Sequence, residues 1–236
     1  MARPPAAPLV IGFDADDTLW HNEAAFRLTQ ERFAALLADH AEPGPLMARL
    51  LNAERRNLGA YGYGVKAFVL SMIETAIEVT EARVPASVIA ELLAAGREML
   101  AHPVELLPHA RGAVEALAGR HRLVLVTKGD LLDQERKLAA SGLGDLFDAV
   151  EIVSRKDAAV YRRAFGPEGA ARGLMVGDSV RSDVLPALEA GAWAVHCPAA
   201  GEGWALEHAE APEDHPRFRR IAHLGELPGL VAEVGA

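Results

Sequence analysis

Leu9-Val10-Ile11-Gly12-Phe13-Asp14-Ala15-Asp16-Asp17-Thr18 is the stretch on which the fold turns. A short apolar run that breaks at once into acids and a hydroxyl suits a parallel strand, buried on both faces, that ends in a functional loop. From about residue 103 onward the same kind of segment recurs. Arg122-Leu123-Val124-Leu125-Val126 reads as a strand, and residues 131–141 as a helix closed by Gly142. Ala149-Val150-Glu151-Ile152-Val153 is a third strand with a helix over 157–165 behind it. Gly173-Leu174-Met175-Val176 is a fourth, followed by a helix over 182–190 ended by Gly191, and Ala192-Trp193-Ala194-Val195 is a fifth. Strands alternating with helices imply parallel strands joined by right-handed crossovers, hence a three-layer, Rossmann-like α/β sheet.

Between the first strand and the second the periodicity changes. Phe26, Gln30, Phe33 and Leu37 recur at helical spacing, as do Phe68, Met72, Ala76 and Val79. Pro43-Gly44-Pro45 breaks the chain ahead of Leu46, Met47, Leu50 and Leu51, and Pro85 fits the first turn of a helix carrying Ile89, Leu92, Leu93 and Met99. The spacing predicts four helices over residues 22–102, inserted as an all-α subdomain into an α/β core made of residues 1–21 and 103–236. Residues 200–216, rich in Gly, Glu, His and Pro, read as a loop before a short closing segment over 218–231.

Composition narrows the function classes. The 236 residues suffice for one substantial core, and half of them are apolar. Asp and Glu number 33 against 24 Lys and Arg, a net charge of -9 with no basic block, which argues against nucleic acid as a partner. Apolar residues nowhere run long enough for a membrane-spanning helix. Met1-Ala2-Arg3-Pro4-Pro5 lacks the apolar run of a signal peptide, and the single Cys197 cannot form an internal disulfide, so a cytoplasmic monomer or homodimer is expected. Nine histidines show no paired ligand spacing, which leaves no zinc site in view, and Cys197 reads as a small buried hydrophobe.

In an open parallel sheet, ligands bind beyond the carboxyl ends of the strands, near the point where strand order reverses. Asp14, Asp16, Asp17 and Thr18 follow the first strand, Thr127-Lys128-Gly129-Asp130 the second, Lys156 the third, and Gly177-Asp178-Ser179 with Asp183 the fourth. Crowded carboxylates repel one another unless a cation offsets them, and oxygen ligands without His or Cys suit Mg²⁺, which often bridges to a substrate phosphate. Thr127 and Lys156 can then contact phosphoryl oxygens, with Lys128 and Gly129 beside them as further substrate-binding candidates. Asp14 can attack phosphorus to give an aspartyl-phosphate, and Asp16 can protonate the leaving oxygen and later deprotonate the water. Asp17 reads as a solvated loop-tip acid. Tyr61-Gly62-Tyr63-Gly64 reads either as a tight helical connection or as a specificity element that brings Tyr63 to the substrate.

Taken in order, Asp14-Ala15-Asp16-Asp17-Thr18, Thr127, Lys156 and Gly177-Asp178-Ser179-Val180-Arg181-Ser182-Asp183 resemble the four motifs of the haloacid dehalogenase (HAD) superfamily, over almost the whole chain. The resemblance implies Asp14 as nucleophile and Asp16 as general acid/base. It also implies Mg²⁺ held by the Asp14 carboxylate, the Asp16 carbonyl and Asp178, with Asp183 supporting the site. The helical insertion looks like a C1-type cap, which in that family closes over the site and selects the substrate. Two positions depart from the pattern: Thr127 is followed by Lys128 rather than Asn or Ser, and Lys156 by Asp157 rather than Pro, so that Asp157 can cap the next helix.

The expected activity is Mg²⁺-dependent hydrolysis of a small phosphorylated metabolite. A 2-haloacid dehalogenase of the same superfamily is the nearest rival, but it resembles the pattern without an acid at the position of Asp16. A phosphomutase would keep both aspartates. From other classes, receiver domains share the acids, Thr and Lys at half the length, and a non-catalytic metabolite-binding protein shares the fold.

Overall fold

The computed structural model describes residues 8–166, 170–199 and 204–235. The Met1-Ala2-Arg3-Pro4-Pro5 start and the 200–203 end of the expected C-terminal loop lie outside the described residues. The chain divides into two compact units, one of Met1–His21, Val104–Lys128 and Gln134–Ala236, the other of Asn22–Pro103 and Gly129–Asp133.

The first unit is built on a parallel sheet of six strands in the order β3-β2-β1-β4-β5-β6. The strands are β1 Val10–Phe13, β2 Arg122–Lys128, β3 Ala149–Val153, β4 Gly173–Gly177, β5 Trp193–His196 and β6 Phe218–Arg220. Successive side chains leave a strand on opposite faces, and the core divides accordingly. On one face Ile11, Phe13, Leu123, Leu125, Leu174 and Val176 pack with Ala113, Val114 and Leu117 of α5 (Ala110–Leu117) and Leu227 and Val231 of α9 (Leu227–Val234). On the other, Val124, Val126, Met175 and Ala194 pack with Tyr161, Ala164 and Phe165 of α7 (Ala158–Phe165) and Ala187 of α8 (Leu185–Glu189). The three-layer α/β reading holds, with a sixth strand, β6, that its three residues were too few to announce.

Two differences from the expected boundaries bear on chemistry. β2 runs through Thr127 and Lys128, so these residues are held by the ladder itself, with Thr127 opposite Ile152. The expected single helix over 182–190 is instead a π-helical turn, Val180–Val184, that leads into α8. Pro186 has no N–H to donate to the Ser182 carbonyl one α-turn back, and that carbonyl accepts from the Tyr161 hydroxyl at 2.8 Å instead.

The second unit holds α1 (Glu23–Leu36), α2 (Pro43–Tyr61), α3 (Val65–Val79) and α4 (Ala86–Ala101). Phe33, Leu37, Leu46, Leu50, Phe68, Met72 and Leu92 make its own core. α3 and α4 approach closely because position 96 carries no side chain: a Cβ on Gly96 would lie 2.6 Å from Val69 Cγ2. The turn between α2 and α3 depends on Gly62 and Gly64, at φ +72° and +108°, a region that side chains disfavour. Residues 129–133 open α6 (Leu131–Ser141) and belong to this unit at their start, where Lys66 pairs with Asp130 at 2.8 Å. Among the described residues no helix is long and apolar enough to cross a membrane.

β4 ends on Gly177 for a steric reason: a Cβ there would lie 2.2 Å from Asp183 Oδ2 and 2.7 Å from Asp183 Cβ. Gly177→Ala must therefore displace the Asp183 loop. It should destabilise the protein by about 1–3 kcal/mol, the usual cost of overpacking, read from thermal unfolding against the wild type; an unchanged midpoint would show that the loop is free to move.

Candidate active site

Strand order reverses between β1 and β4: the chain leaves β1 toward β2 and β3 on one side and returns to β4 on the other. The carboxyl ends of these two strands thus flank the crevice where ligands of such sheets bind. The Asp14 N–H donates to the Val176 carbonyl at 2.9 Å, extending the β1–β4 ladder by one bond and fixing where its side chain emerges.

Lys156 sits between β3 and α7, and Asp157 caps α7 by accepting from the Val160 N–H at 3.0 Å. Its ammonium donates to Asp14 Oδ1 at 2.5 Å and to Asp183 Oδ1 at 2.6 Å. The Lys156 and Asp183 side chains are 1% exposed and that of Asp14 10%. Asp183 is engaged further, by the Ser179 N–H at 3.0 Å on Oδ2 and the Tyr161 hydroxyl at 3.3 Å on Oδ1. Asp178 stands across from Thr18, whose Oγ1 accepts from the Asp178 N–H at 3.1 Å. His196 donates through Nε2 to the Asp178 carbonyl at 2.9 Å, so the neutral ring is fixed in one tautomer.

The electrostatics follow from one ammonium facing several buried acids. Burial, then the Asp183 charge, pushes the Asp14 carboxyl up to about 7 in spite of Lys156. Burial, then Asp14 and Asp183, raises Asp178 well above the carboxylate range. Burial works against the charge on Lys156, but Asp14 and Asp183 outweigh it and hold the ammonium above its ordinary value. Burial and Asp183 likewise keep the Tyr161 phenol neutral, a donor.

Asp14, Asp178 and Asp183 each offer a carboxylate oxygen, and these oxygens lie within 4.8 Å of one another. An all-oxygen set of this kind fits a hard divalent cation. Since both Asp183 oxygens already accept hydrogen bonds, Asp14 and Asp178 are the acids best placed to coordinate one directly.

The Asp16 carboxylate lies outside that set, whose expected contribution from Asp16 is the backbone carbonyl. Its Oδ1 accepts from Trp20 Nε1 at 2.7 Å and from the Lys137 ammonium at 3.0 Å, and its Oδ2 from Gln134 Nε2 at 3.2 Å. Gln134 also donates to Thr127 Oγ1 at 2.7 Å. Thr127 is 1% exposed. Asp17 has φ +57° and donates its N–H to the Trp20 carbonyl, closing the loop that aims Asp16.

Lys128 is turned to the loop after β4, donating to Ser182 Oγ at 2.8 Å and Glu207 Oε1 at 2.7 Å. Glu207 also accepts from Ser179 Oγ at 2.8 Å and from Ser182 Oγ. Burial works against the Glu207 charge, yet Lys128 and these hydroxyls hold the carboxyl below its usual range. Tyr63 and Gly129 belong to the helical unit, Tyr63 on the turn before α3 and Gly129 at φ +136° ahead of α6. Cys197 is buried, and burial pushes its thiol up to about 11, out of the range of a nucleophile at neutral pH.

Sequence reasoning did not reach Gln134, Lys137, Tyr161 or Glu207. The first three sit inside ordinary amphipathic helices, where a polar or aromatic residue carries no spacing signal, and Glu207 is one acid in an acid-rich tail.

The sequence profile of haloacid dehalogenase-like hydrolases matches residues 9–191. A haloacid dehalogenase-like family hydrolase of Xanthomonas campestris is 41% identical, with all of this chain and 95% of that one covered and a TM-score of 0.87. The pyrimidine 5'-nucleotidase YjjG of Escherichia coli (strain K12) is 28% identical over 136 residues, 54% of this chain and 57% of that protein, so the match spans little more than half of either. An L-2-haloacid dehalogenase of Xanthobacter autotrophicus, with chloropropionic acid covalently bound, covers 95% of this chain and 98% of its own at 18% identity and a TM-score of 0.62, a likeness of fold alone. With the profile spanning both Asp14 and Asp183 and the Xanthomonas structure aligning end to end, the chain belongs to the haloacid dehalogenase-like hydrolase family.

Proposed function

We propose that the protein is a Mg²⁺-dependent phosphatase that hydrolyses a small phosphorylated metabolite through an aspartyl-phosphate on Asp14. The observation that carries this reading is the charge balance of the cluster: Asp14, Asp178 and Asp183 bring carboxylate oxygens within 4.8 Å of one another, and the ammonium among them, Lys156, donates to Asp14 and Asp183. Such a set favours a divalent cation, and a cation favours a dianionic phosphoryl group over the singly charged carboxylate of a haloacid. Asp14 and Asp178 would hold Mg²⁺, which would supply charge neutralisation at this strand edge.

The chain's own groups do the rest. An Asp14 oxygen forms a bond to phosphorus as the bond to the leaving oxygen breaks, and Asp16 gives that oxygen its proton. Asp16, now a carboxylate, takes a proton from the water that attacks the aspartyl-phosphate, releasing inorganic phosphate and the Asp14 carboxylate. Thr127, with a lone pair engaged by Gln134 and its O–H in a long 3.4 Å contact with the Lys128 carbonyl, can turn that O–H toward a phosphoryl oxygen. Lys156 fixes Asp14 in line and adds positive charge. A dehalogenase has no leaving oxygen to protonate, and so no use for Asp16.

Purified protein with Mg²⁺ should release phosphate from p-nitrophenyl phosphate and no chloride from 2-chloropropionate. Asp14→Asn should lower phosphate release by about a thousandfold or more, as loss of a nucleophile does elsewhere; undiminished turnover would remove the covalent route, and chloride release would favour the dehalogenase.

Mg²⁺ affinity should depend on pH in a stated direction. The Asp14 carboxyl sits at about 7 and that of Asp178 is also raised well above the carboxylate range, so a cation must displace protons from this pair, and affinity should rise with pH through about 7. Calorimetry in buffers of different ionisation enthalpy would show the released proton. Affinity that is flat with pH would mean that Asp14 is not a ligand.

The curated relative acts as a pyrimidine 5'-nucleotidase, which puts nucleoside 5'-monophosphates first in a panel with sugar phosphates and phosphoglycolate. Tyr63 is proposed as a specificity residue, and Tyr63→Ala should reorder that panel; an unchanged ranking would leave the Tyr61–Gly64 turn as a simple connection.

A further inference from the structure

Asp16 can pass a proton only if one of its two oxygens is kept open toward the leaving group, and α6 decides which one. Gln134 and Lys137 stand three residues apart on α6, so both side chains leave the same face of the helix. Gln134, 2% exposed, divides the hydrogens of its amide between Thr127 Oγ1 at 2.7 Å and Asp16 Oδ2 at 3.2 Å. Lys137 and Trp20 both donate to Asp16 Oδ1, at 3.0 and 2.7 Å. The two carboxyl oxygens are therefore unequal. Oδ1 is taken up by an ammonium and an indole N–H, both donors, whereas Oδ2 meets only the longer amide contact and has a lone pair to spare.

We infer that Gln134 and Lys137 are positioning residues for proton transfer, which hold the Asp16 carboxyl with Oδ1 engaged and Oδ2 turned to the leaving oxygen, on the side of the Thr127 hydroxyl. The inference rests on the phosphatase reading. In the first step the Asp14 oxygen–phosphorus bond forms, the bond from phosphorus to the leaving oxygen breaks with its electron pair, and the Oδ2 proton moves to that oxygen. In the second a water oxygen attacks phosphorus, the bond to Asp14 breaks, and a water proton returns to Oδ2. Gln134 ties the donor that grips the phosphoryl group to the acid that serves the leaving group, so neither can drift without the other.

A positioning role predicts a loss that depends on the leaving group, which a general loss of structure does not. p-Nitrophenyl phosphate and p-methoxyphenyl phosphate are close in size, but nitrophenolate departs without a proton and methoxyphenolate needs one. Comparing kcat/KM confines the measurement to steps up to departure of the phenol, so the shared hydrolysis of the aspartyl-phosphate drops out. Lys137→Met and Gln134→Leu should lower kcat/KM for the methoxy ester about 10–100-fold and for the nitro ester less than about threefold, the scale of a misplaced general acid. Lys137→Arg should restore most of the loss. Equal losses on both esters would overturn the inference. Should Gln134→Leu fail to fold by circular dichroism, the Lys137 variants decide, since that side chain, 12% exposed, is the less buried of the two. Wild-type protein that released phosphate from neither ester would instead overturn the phosphatase reading, and the inference with it.

Discussion

The buried ammonium of Lys156, shared between Asp14 and Asp183, is the interaction on which the site depends. It joins three separate strand ends: Lys156 follows β3 at the sheet edge, Asp14 follows β1 at its centre, and Asp183 follows β4 beyond it. Two charges taken out of water cost several kcal/mol each unless geometry and further hydrogen bonds repay them. Here the repayment is visible, since Asp183 also accepts from Ser179 and Tyr161. Removing one partner would strand the others, which is why the loops of this edge hold together as a unit.

The loop after β4 is shaped by two residues with no chemistry of their own. Gly177 clears the space that the Asp183 carboxylate fills, and Pro186 withholds the N–H that an α-helix would have offered to Ser182. The result is a π-helical turn with one free carbonyl, taken up by Tyr161 from α7. Tyr161 thereby braces the loop and one of its acids with a single hydroxyl. Such widened turns are common at functional positions because they re-aim side chains at little cost in hydrogen bonds. A second brace comes from Glu207, which ties Ser179 and Ser182 to Lys128 at the end of β2.

Asp14 and Asp16 are two residues apart yet live in different surroundings. Asp14 is enclosed with like charges and one cation, whereas Asp16 is gripped by an indole, an amide and an ammonium. The tight loop between Ala15 and Trp20 makes the separation possible, with the Ala15 carbonyl accepting from the Leu19 N–H at 2.7 Å. Two carboxylates with divergent environments are the usual arrangement for divided labour in acid–base and nucleophilic work.

Periodicity alone made the α/β core, the four inserted helices and the strand-end placement of Asp14, Thr127, Lys156 and Asp178 legible, because burial imposes a spacing on strands and helices that survives in one dimension. It missed β6, too short to carry a pattern, and the π-helical turn, whose cause is a lost donor rather than a hydrophobic repeat. Gln134, Lys137, Tyr161 and Glu207 were invisible for a related reason: each acts on a residue 7 to 121 positions away. Residue type and order in the sequence thus determined which groups stand at the rim of the sheet. Only the tertiary structure decided which oxygen each group grips, since hydrogen bonds and buried charges depend on distance in space and on the exclusion of water, and neither is written in the spacing of the chain.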